Sequence, residues 1–397
     1  MPLSVVIIGG GQAGLEAAAA LRTQKFDGAI TLICEEPHAP YQRPPLSKDY
    51  LLGKQQEDNL GLRALSYYEN HHIDLILGER AERIDRASKT VHIAGGGRVN
   101  YDYLILAVGA RNRPLSLPGA ERVLYLRTLD EARALRERLA EAGSVVVIGG
   151  GFIGLEVAAA ARTQGKDVTV IEAAPRLMAR AVSPVLSDFF LNLHGTQGVK
   201  VMLGASITAI EEGAVVAGSR IPADVIVAGI GVIPNTDLAA AAGLATGNGI
   251  VVDECLRTSD AAIFAIGDGA EHPNVFAGGA RVRLESVQNA VDEAKCVAKT
   301  ITGQTARYGD VPWFWTDQFD VRFQMAGLSG GHDQQILRGN IANRKFSVFY
   351  LKDGKLLAVD SVNRFGDHIG ARKLLAAGVS PTPEQLADES VDLKKLV

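Results

Sequence analysis

The sequence predicts an α/β fold with two copies of one strand-turn-helix unit and a smaller α+β domain at the C-terminal end. Short Val/Ile runs alternate with Ala-rich helical stretches: Val5 to Ile8 then Leu15 to Leu21, Ile30 to Ile33, Leu104 to Val108, Val145 to Ile148 then Leu155 to Ala161, and Val168 to Ile171. Continuous apolar strands of this kind belong to parallel sheet covered on both faces. An internal repeat is the second observation, since VVIIGGGQAGLEAAAALRTQ from Val5 returns as VVVIGGGFIGLEVAAAARTQ from Val145. The third is a shift in composition near Val311: both tryptophans and 9 of the 23 aromatic residues fall in Trp313 to Val397, which marks a separate aromatic core. Within it, Phe346 to Leu351, the turn Asp353-Gly354 and Lys355 to Val359 read as an antiparallel hairpin.

Composition narrows the class. A chain of 397 residues, 47 % apolar, has ample material for two to three buried cores. Cys34, Cys255 and Cys296 are too scattered for a metal site or a disulfide framework, which points to a reducing compartment and a cytoplasmic location. A formal net charge of −4 argues against a nucleic-acid partner. Met1 to Ser4 has no basic stretch of a signal peptide. Ser144 to Ala161 carries a single charge, Glu156, but three glycines at 149 to 151 interrupt it, so it reads as strand, tight turn and helix rather than a membrane span.

The 43 glycines cluster, and two clusters carry chemistry. Gly9, Gly11 and Gly14 form a GxGxxG between an apolar strand and a helix, with Glu35 twenty-one residues beyond Gly14 at the end of the next strand. Glycine at the first position permits the tight turn, at the second the approach of a diphosphate, and at the third close packing of helix on strand. The diphosphate rests on the helix N-terminus, and the carboxylate is placed to accept hydrogen bonds from ribose hydroxyls. Gly149, Gly151 and Gly154 repeat the construction, with Glu172 eighteen residues beyond Gly154. A carboxylate there opposes a 2'-phosphate. At an effective dielectric near 20, a like-charge contact at 4 Å costs on the order of 4 kcal/mol before screening, so NADH is preferred to NADPH. Arg176 and Arg180 could reach a 2'-phosphate or could be ordinary surface cations. Two such sites in one chain imply a flavin and a nicotinamide whose rings exchange a hydride.

Further signatures run through nearly the whole chain: RPPLSK at 43–48, YLILAVGARNRP from Tyr103, GIGVIPN from Gly229, IFAIGDGA from Ile263, RLESVQNA from Arg283 and WFWTDQ from Trp313. With these the chain resembles the FAD-dependent pyridine nucleotide oxidoreductases, and within them the ferredoxin reductases of oxygenase systems. The resemblance implies a glutathione-reductase-like fold, with a discontinuous FAD-binding domain at 1–111 and 241–310, an NADH-binding domain at 112–240 and a C-terminal reductase domain at 311–397. It implies that Ala13, Glu35, Arg43, Lys48, Ala81, Arg127, Asp268 and Val287 contact FAD beside the first glycine loop, with Ala81 on the adenine side and Asp268 on the ribityl-diphosphate. Gly149, Gly151, Ile153, Gly154, Glu156, Glu172 and Arg180 are the NADH set. Val108 stands where the wider family has Thr, which removes one hydroxyl but not the turn.

On spacing alone Glu156 is as readily a residue placed in the first turn of the second loop's helix to suit the dipole. The resemblance pairs it instead with Lys48 beside the flavin, where a fixed cation favours the reduced ring and Glu156 holds the cation. Trp315 reads equally as core of the third domain or as a wall of the cofactor site. Disulfide-reducing relatives carry a Cys pair near the flavin, whereas Tyr41 to Lys54 has none, and Cys34 reads as a buried inert thiol.

The resulting expectation is an NADH-dependent reductase that passes single electrons to a two-iron two-sulfur ferredoxin serving a haem or Rieske oxygenase, as a monomer or weak homodimer. Its rivals are an NADH oxidase or peroxidase and a nucleotide-sensing interaction flavoprotein. Arg80, Arg83, Arg86 and Lys89, or Arg338, Arg344 and Lys345, could form a basic docking face or be ordinary solvated cations. The last 85 residues count 11 basic and 10 acidic side chains, so such a face must be spatial rather than compositional.

Overall fold

The structure, a computed structural model, describes residues 3–397. Five parallel strands form the first sheet, in the order Ile263–Ala265, Tyr103–Leu106, Ser4–Ile8, Ala29–Cys34 and Ile73–Leu77. Its edge strand thus arrives from beyond residue 260. The helix Gln12–Thr23 packs against the helix Val287–Ile301, and small side chains such as Ala17 and Ala18, both fully buried, let them approach. The repeat builds the second sheet, four parallel strands ordered Lys200–Leu203, Asp167–Glu172, Ser144–Ile148 and Val225–Ala228. Ser4–Ile8 and Ser144–Ile148 share one burial pattern, an edge residue followed by four buried ones, as strands covered on both faces require.

A ribbon of Ala110–Asn112 against Val232–Pro234 carries the chain out of the first sheet's region and back. The third sheet is antiparallel, in the order Trp313–Gln318, Val321–Gly327, Lys355–Val362, Lys345–Lys352 and Gln334–Asn340, with the helix Phe365–Ala377 against it. The expected hairpin is present, and its two-residue loop Asp353-Gly354 has positive φ at both positions (48° and 72°), which suits the right-handed strand twist. The segment 144–161 is a strand, a turn and part of the helix Phe152–Thr163, and no helix among the described residues is long and apolar enough to cross a membrane.

One excursion positions the site. Residues 41–60, inserted after the second strand of the first sheet, bury Tyr41, Leu46, Tyr50 and Leu51 in one core with Leu155 of the helix Phe152–Thr163 and Phe323 of the third sheet. The short helical turn Pro44–Ser47 is thereby clamped against the core shared by the second and third sheets.

Candidate active site

The first glycine loop is tight below and open above. A Cβ on Gly14 would lie 2.0 Å from the carbonyl oxygen of Gly9, and one on Gly9 would lie 2.1 Å from that of Ala107. Those two glycines serve packing. A Cβ on Gly11 would meet nothing within 4 Å, and Gly11 caps the helix Gln12–Thr23 without a side-chain bond. The free N–H groups of that helix end therefore face an open cradle, which fits an anionic diphosphate. Opposite it, the turn Gly267–Gly269 comes so close that a Cβ on Gly267 would lie 3.0 Å from that of Ala13. This turn presents Asp268, whose Oδ2 accepts a hydrogen bond of 2.8 Å from Arg127. Arg43 donates to the Arg127 carbonyl and to Glu36, at 2.6 Å each. Glu35 follows the strand Ala29–Cys34 with an exposed carboxylate 3.8 Å from Arg80, and Ala81, buried, opens the strand Ala81–Asp85. Val287 begins the helix Val287–Ile301, capped by Ser286.

The second loop has the same geometry. A Cβ on Gly154 would lie 2.1 Å from the Gly149 oxygen, whereas one on Gly151 would find its nearest neighbour 3.9 Å away. Ile153 is exposed at the helix start despite its apolar side chain. Glu172 does more than the spacing implies: its two oxygens accept the Gly150 and Ala174 N–H groups, at 2.6 and 2.7 Å, and so hold the glycine loop. Arg176 spends its guanidinium on the carbonyls of Val182 and Ala179 and on Ser187, which removes it as a ligand for a 2'-phosphate. Arg180 lies beside Gly231 and is exposed.

Lys48 and Glu156, more than a hundred residues apart, meet with Nζ 2.8 Å from Oε1. Glu156 is the fifth residue of its helix, not in the first turn, and its side chain is only 1 % exposed, so the dipole does not explain it. Three donors do. Besides Lys48, Ser47 donates to Oε2 and Thr316 to Oε1, both at 2.5 Å. A buried carboxylate needs this degree of pairing to offset lost hydration. Lys48 and Trp315 line a cavity of about 370 Å³ together with Gln12, Pro44, Pro45 and Val287. Its walls come from the first loop's helix, the helical turn at 44–47, the helix Val287–Ile301 and the third sheet. A larger groove, about 470 Å³ between the helix Pro184–Thr196 and Ile341 to Arg344, contains none of the expected site residues. Trp315 thus lines the cavity, while Trp313 packs into the third core under the Arg372 guanidinium, 4.8 Å from its ring centre.

Sequence reasoning missed Ser47 and Thr316, although both stand inside quoted signatures, RPPLSK and WFWTDQ. It also missed Glu293, which is fully buried in the helix Val287–Ile301 and accepts the Gly267 N–H at 2.5 Å, so that it anchors the turn bearing Asp268. Burial pushes its carboxyl upward, and His272 Nδ1 lies 3.2 Å from its other oxygen.

Residues 3–294 match the family described as pyridine nucleotide-disulphide oxidoreductase, and residues 313–397 match a second model, reductase C-terminal. The chain belongs to the pyridine nucleotide-disulphide oxidoreductase family. The cofactors are FAD and NAD(H). Among similar proteins, rhodocoxin reductase of Rhodococcus erythropolis is 50 % identical over 401 residues, covering 99 % of this chain and 94 % of its own. The ferredoxin reductase for the CYP199A2 system of Rhodopseudomonas palustris superposes with a TM-score of 0.96 at 48 % identity, over 99 % of both chains. Putidaredoxin reductase in its covalent complex with putidaredoxin gives 0.96 at 39 % identity, over 99 % of this chain and 98 % of the other.

The family's name mentions disulphide, but the thiols here are placed for packing. Cys34 is 1 % exposed beneath Gly10, and burial pushes its pKa up to about 12. Burial does the same for Cys296. In the native protein at neutral pH, a thiol-alkylating reagent is therefore expected to label Cys255 and leave Cys34 and Cys296 unmodified for hours, as read by peptide mass spectrometry. Of the two basic clusters, the second requires correction. Arg338 is buried at 3 % exposure, bonded to Asp367 and to the carbonyls of Leu386, Asp388 and Val391, so it ties the C-terminal segment down and faces no partner. In the first cluster, Arg86 is paired with Asp260 at 2.7 Å and Arg83 with Asp85 at 3.4 Å, which neutralises much of its charge.

Proposed function

We propose that this chain is an NADH-dependent ferredoxin reductase that serves a haem or Rieske oxygenase, with a two-iron two-sulfur ferredoxin as acceptor. The observation that carries the reading is Lys48, held by the buried Glu156, in the wall of the cavity that Gln12 of the first loop's helix and Trp315 of the third sheet also line. When bound, FAD takes a hydride from NADH and gives electrons up singly, which links a two-electron donor to a one-electron acceptor. The residues around the cavity supply position and charge. Gly11 and the N–H groups of the helix after it would receive the diphosphate and Asp268 would accept hydrogen bonds from the ribityl side, while Arg127 balances Asp268. Lys48 holds a fixed positive charge at the cavity wall, and Glu156 with Ser47 and Thr316 prevents that charge from wandering. Similarity to rhodocoxin reductase and to the ferredoxin reductase of the CYP199A2 system supports the acceptor class. We further assign 1–111 with 241–310 to FAD, 112–240 to NADH and 311–397 to a reductase domain, in a cytoplasmic monomer or weak homodimer. Sheet membership supports the first division, since Ile263–Ala265 pairs with Tyr103–Leu106.

Stopped-flow mixing of the NADH-reduced protein with candidate ferredoxins tests the reading. Reduction of a two-iron two-sulfur ferredoxin well above the rate of oxygen consumption is expected. Turnover with oxygen alone that equals turnover with ferredoxin would overturn it in favour of an oxidase.

Nicotinamide preference rests on Glu172. Glu172→Ala is expected to lower the ratio of kcat/KM for NADH over NADPH at least tenfold, because about 1.4 kcal/mol of the like-charge penalty is a factor of ten. Part of the effect will appear as a raised KM for both, since Gly150 and Ala174 lose their acceptor. An unchanged ratio would refute the selectivity role.

A further inference from the structure

Glu156 is the end of a longer buried chain. Thr316 donates to Glu156 at 2.5 Å, Gln318 Nε2 lies 3.3 Å from Thr316 Oγ1, and His194 Nε2 lies 2.9 Å from Gln318 Oε1. Thr316, Gln318 and His194 are fully buried. The first two alternate with Trp315 along one strand, so the face opposite the cavity wall aims its polar groups at the helix Phe152–Thr163 and at His194 of the helix Pro184–Thr196.

The sense of every bond follows from the carboxylate. Glu156 Oε1 can only accept, so the Thr316 hydroxyl donates its single proton there. Thr316 Oγ1 is then left with lone pairs, and only the amide NH₂ of Gln318 can donate to it. The Gln318 oxygen must therefore face His194, whose Nε2 carries the ring proton. Nδ1 of His194 has no partner and is buried, so a proton there would be an unpaired donor. Burial lowers the pKa of the imidazole, which keeps it neutral with one proton to place. Donors aligned in one direction polarise one another towards the acceptor at the end.

We propose that His194, Gln318 and Thr316 form a one-directional hydrogen-bond chain that fixes the Glu156 carboxylate against Lys48, with Thr316 as a positioning residue for the flavin site. The inference rests on the reading of Lys48 and Glu156 as the active-site pair. It makes the third sheet an electrostatic part of that site as well as a wall, and it ties the site to a helix beside the second sheet. Gln318 does not pass protons readily, so the chain orients and polarises and does not conduct.

Two measurements on the flavin-loaded full chain test it. Ring-nitrogen NMR near pH 8, with His194 assigned from its absence in His194→Gln, is expected to show the Nε2–H tautomer. An Nδ1–H tautomer overturns the chain without reliance on any variant of Thr316. In stopped-flow experiments Thr316→Val is expected to slow flavin reduction by NADH about tenfold and to shift the His194 ring signals, while Thr316→Ser restores the rate to within about twofold. If Lys48→Met is slow but Thr316→Val is not, the positioning role fails and the site reading stands. If Lys48→Met itself reduces at the native rate, the site reading fails.

Discussion

Replacing Lys48 with methionine is expected to slow flavin reduction by NADH roughly a hundredfold, and to lower the melting temperature at the same time. The kinetic effect follows from charge. A unit charge at about 4 Å is worth about 4 kcal/mol at an effective dielectric of 20, and partial neutralisation by Glu156 reduces that to about 2.7 kcal/mol, which is a hundredfold. The stability effect follows from burial. Glu156 is 1 % exposed, and a charge left without its partner in such a place costs about 3 kcal/mol, the lower end of the usual range because Ser47 and Thr316 still donate. The depth of Glu156 thus gives the pair weight in folding as well as in reduction. The two effects can be separated. Lys48→Met combined with Glu156→Gln removes both charges and keeps side-chain volume, so stability is expected to return towards that of the native protein while reduction stays slow. Stopped-flow absorbance at the flavin band and thermal melts of the native protein and the two variants check this. A double variant that reduces at the native rate would mean that the pair serves the fold alone.

What was legible in the sequence was what local geometry demands. Gly9 is glycine because its φ is 118°, and Gly14 because a Cβ there meets the Gly9 oxygen, and both constraints leave their mark within six residues. The apolar runs of Val5 to Ile8 and Val145 to Ile148 are equally local. Lys48 and Glu156 are not, and they became visible only through a family resemblance, since no periodicity joins residues in different elements. Where the resemblance had nothing to say, the site stayed hidden. Ser47, Thr316, Gln318, His194 and Glu293 carry ordinary residue types at unremarkable spacing, and their roles arise when four elements converge. Arg338 shows the reverse error. Beside Arg344 and Lys345 it counts as one more surface cation, but the segment after residue 385 folds back and offers it carbonyls. Burial of an arginine by a distant stretch of chain has no counterpart in composition. The excursion at 41–60 belongs with these: its apolar residues promise a core without saying which, and they fill the space between the second and third sheets.

Gly11→Ala is expected to give a folded protein that no longer retains FAD, with affinity lowered at least a hundredfold or about 2.7 kcal/mol. The backbone permits the change. Gly11 has φ of −88° and ψ of −168°, extended values open to alanine, and its new methyl group would meet nothing within 4 Å. The melting curve of the flavin-free protein should therefore shift little from that of the flavin-free parent. The methyl would instead occupy the space over the helix end into which a diphosphate must come, where close approach of main chain to anion is the reason for glycine. Gly14→Ala, three residues on, is expected to behave in the opposite way. Its methyl would lie 2.0 Å from the Gly9 oxygen, so strand and helix must separate and the first sheet loses stability whether or not FAD is present. The second loop supplies an internal control. Gly151 has φ of −83° and a nearest neighbour at 3.9 Å, so Gly151→Ala should keep its full complement of FAD and fold normally, yet raise KM for NADH. The ratio of flavin to protein absorbance in the purified variants, fluorescence titration with FAD and steady-state kinetics separate the three outcomes. Native FAD affinity in Gly11→Ala would mean that the diphosphate does not lie over the first loop, because no rearrangement of side chains can make room for both it and a methyl group on fixed main chain.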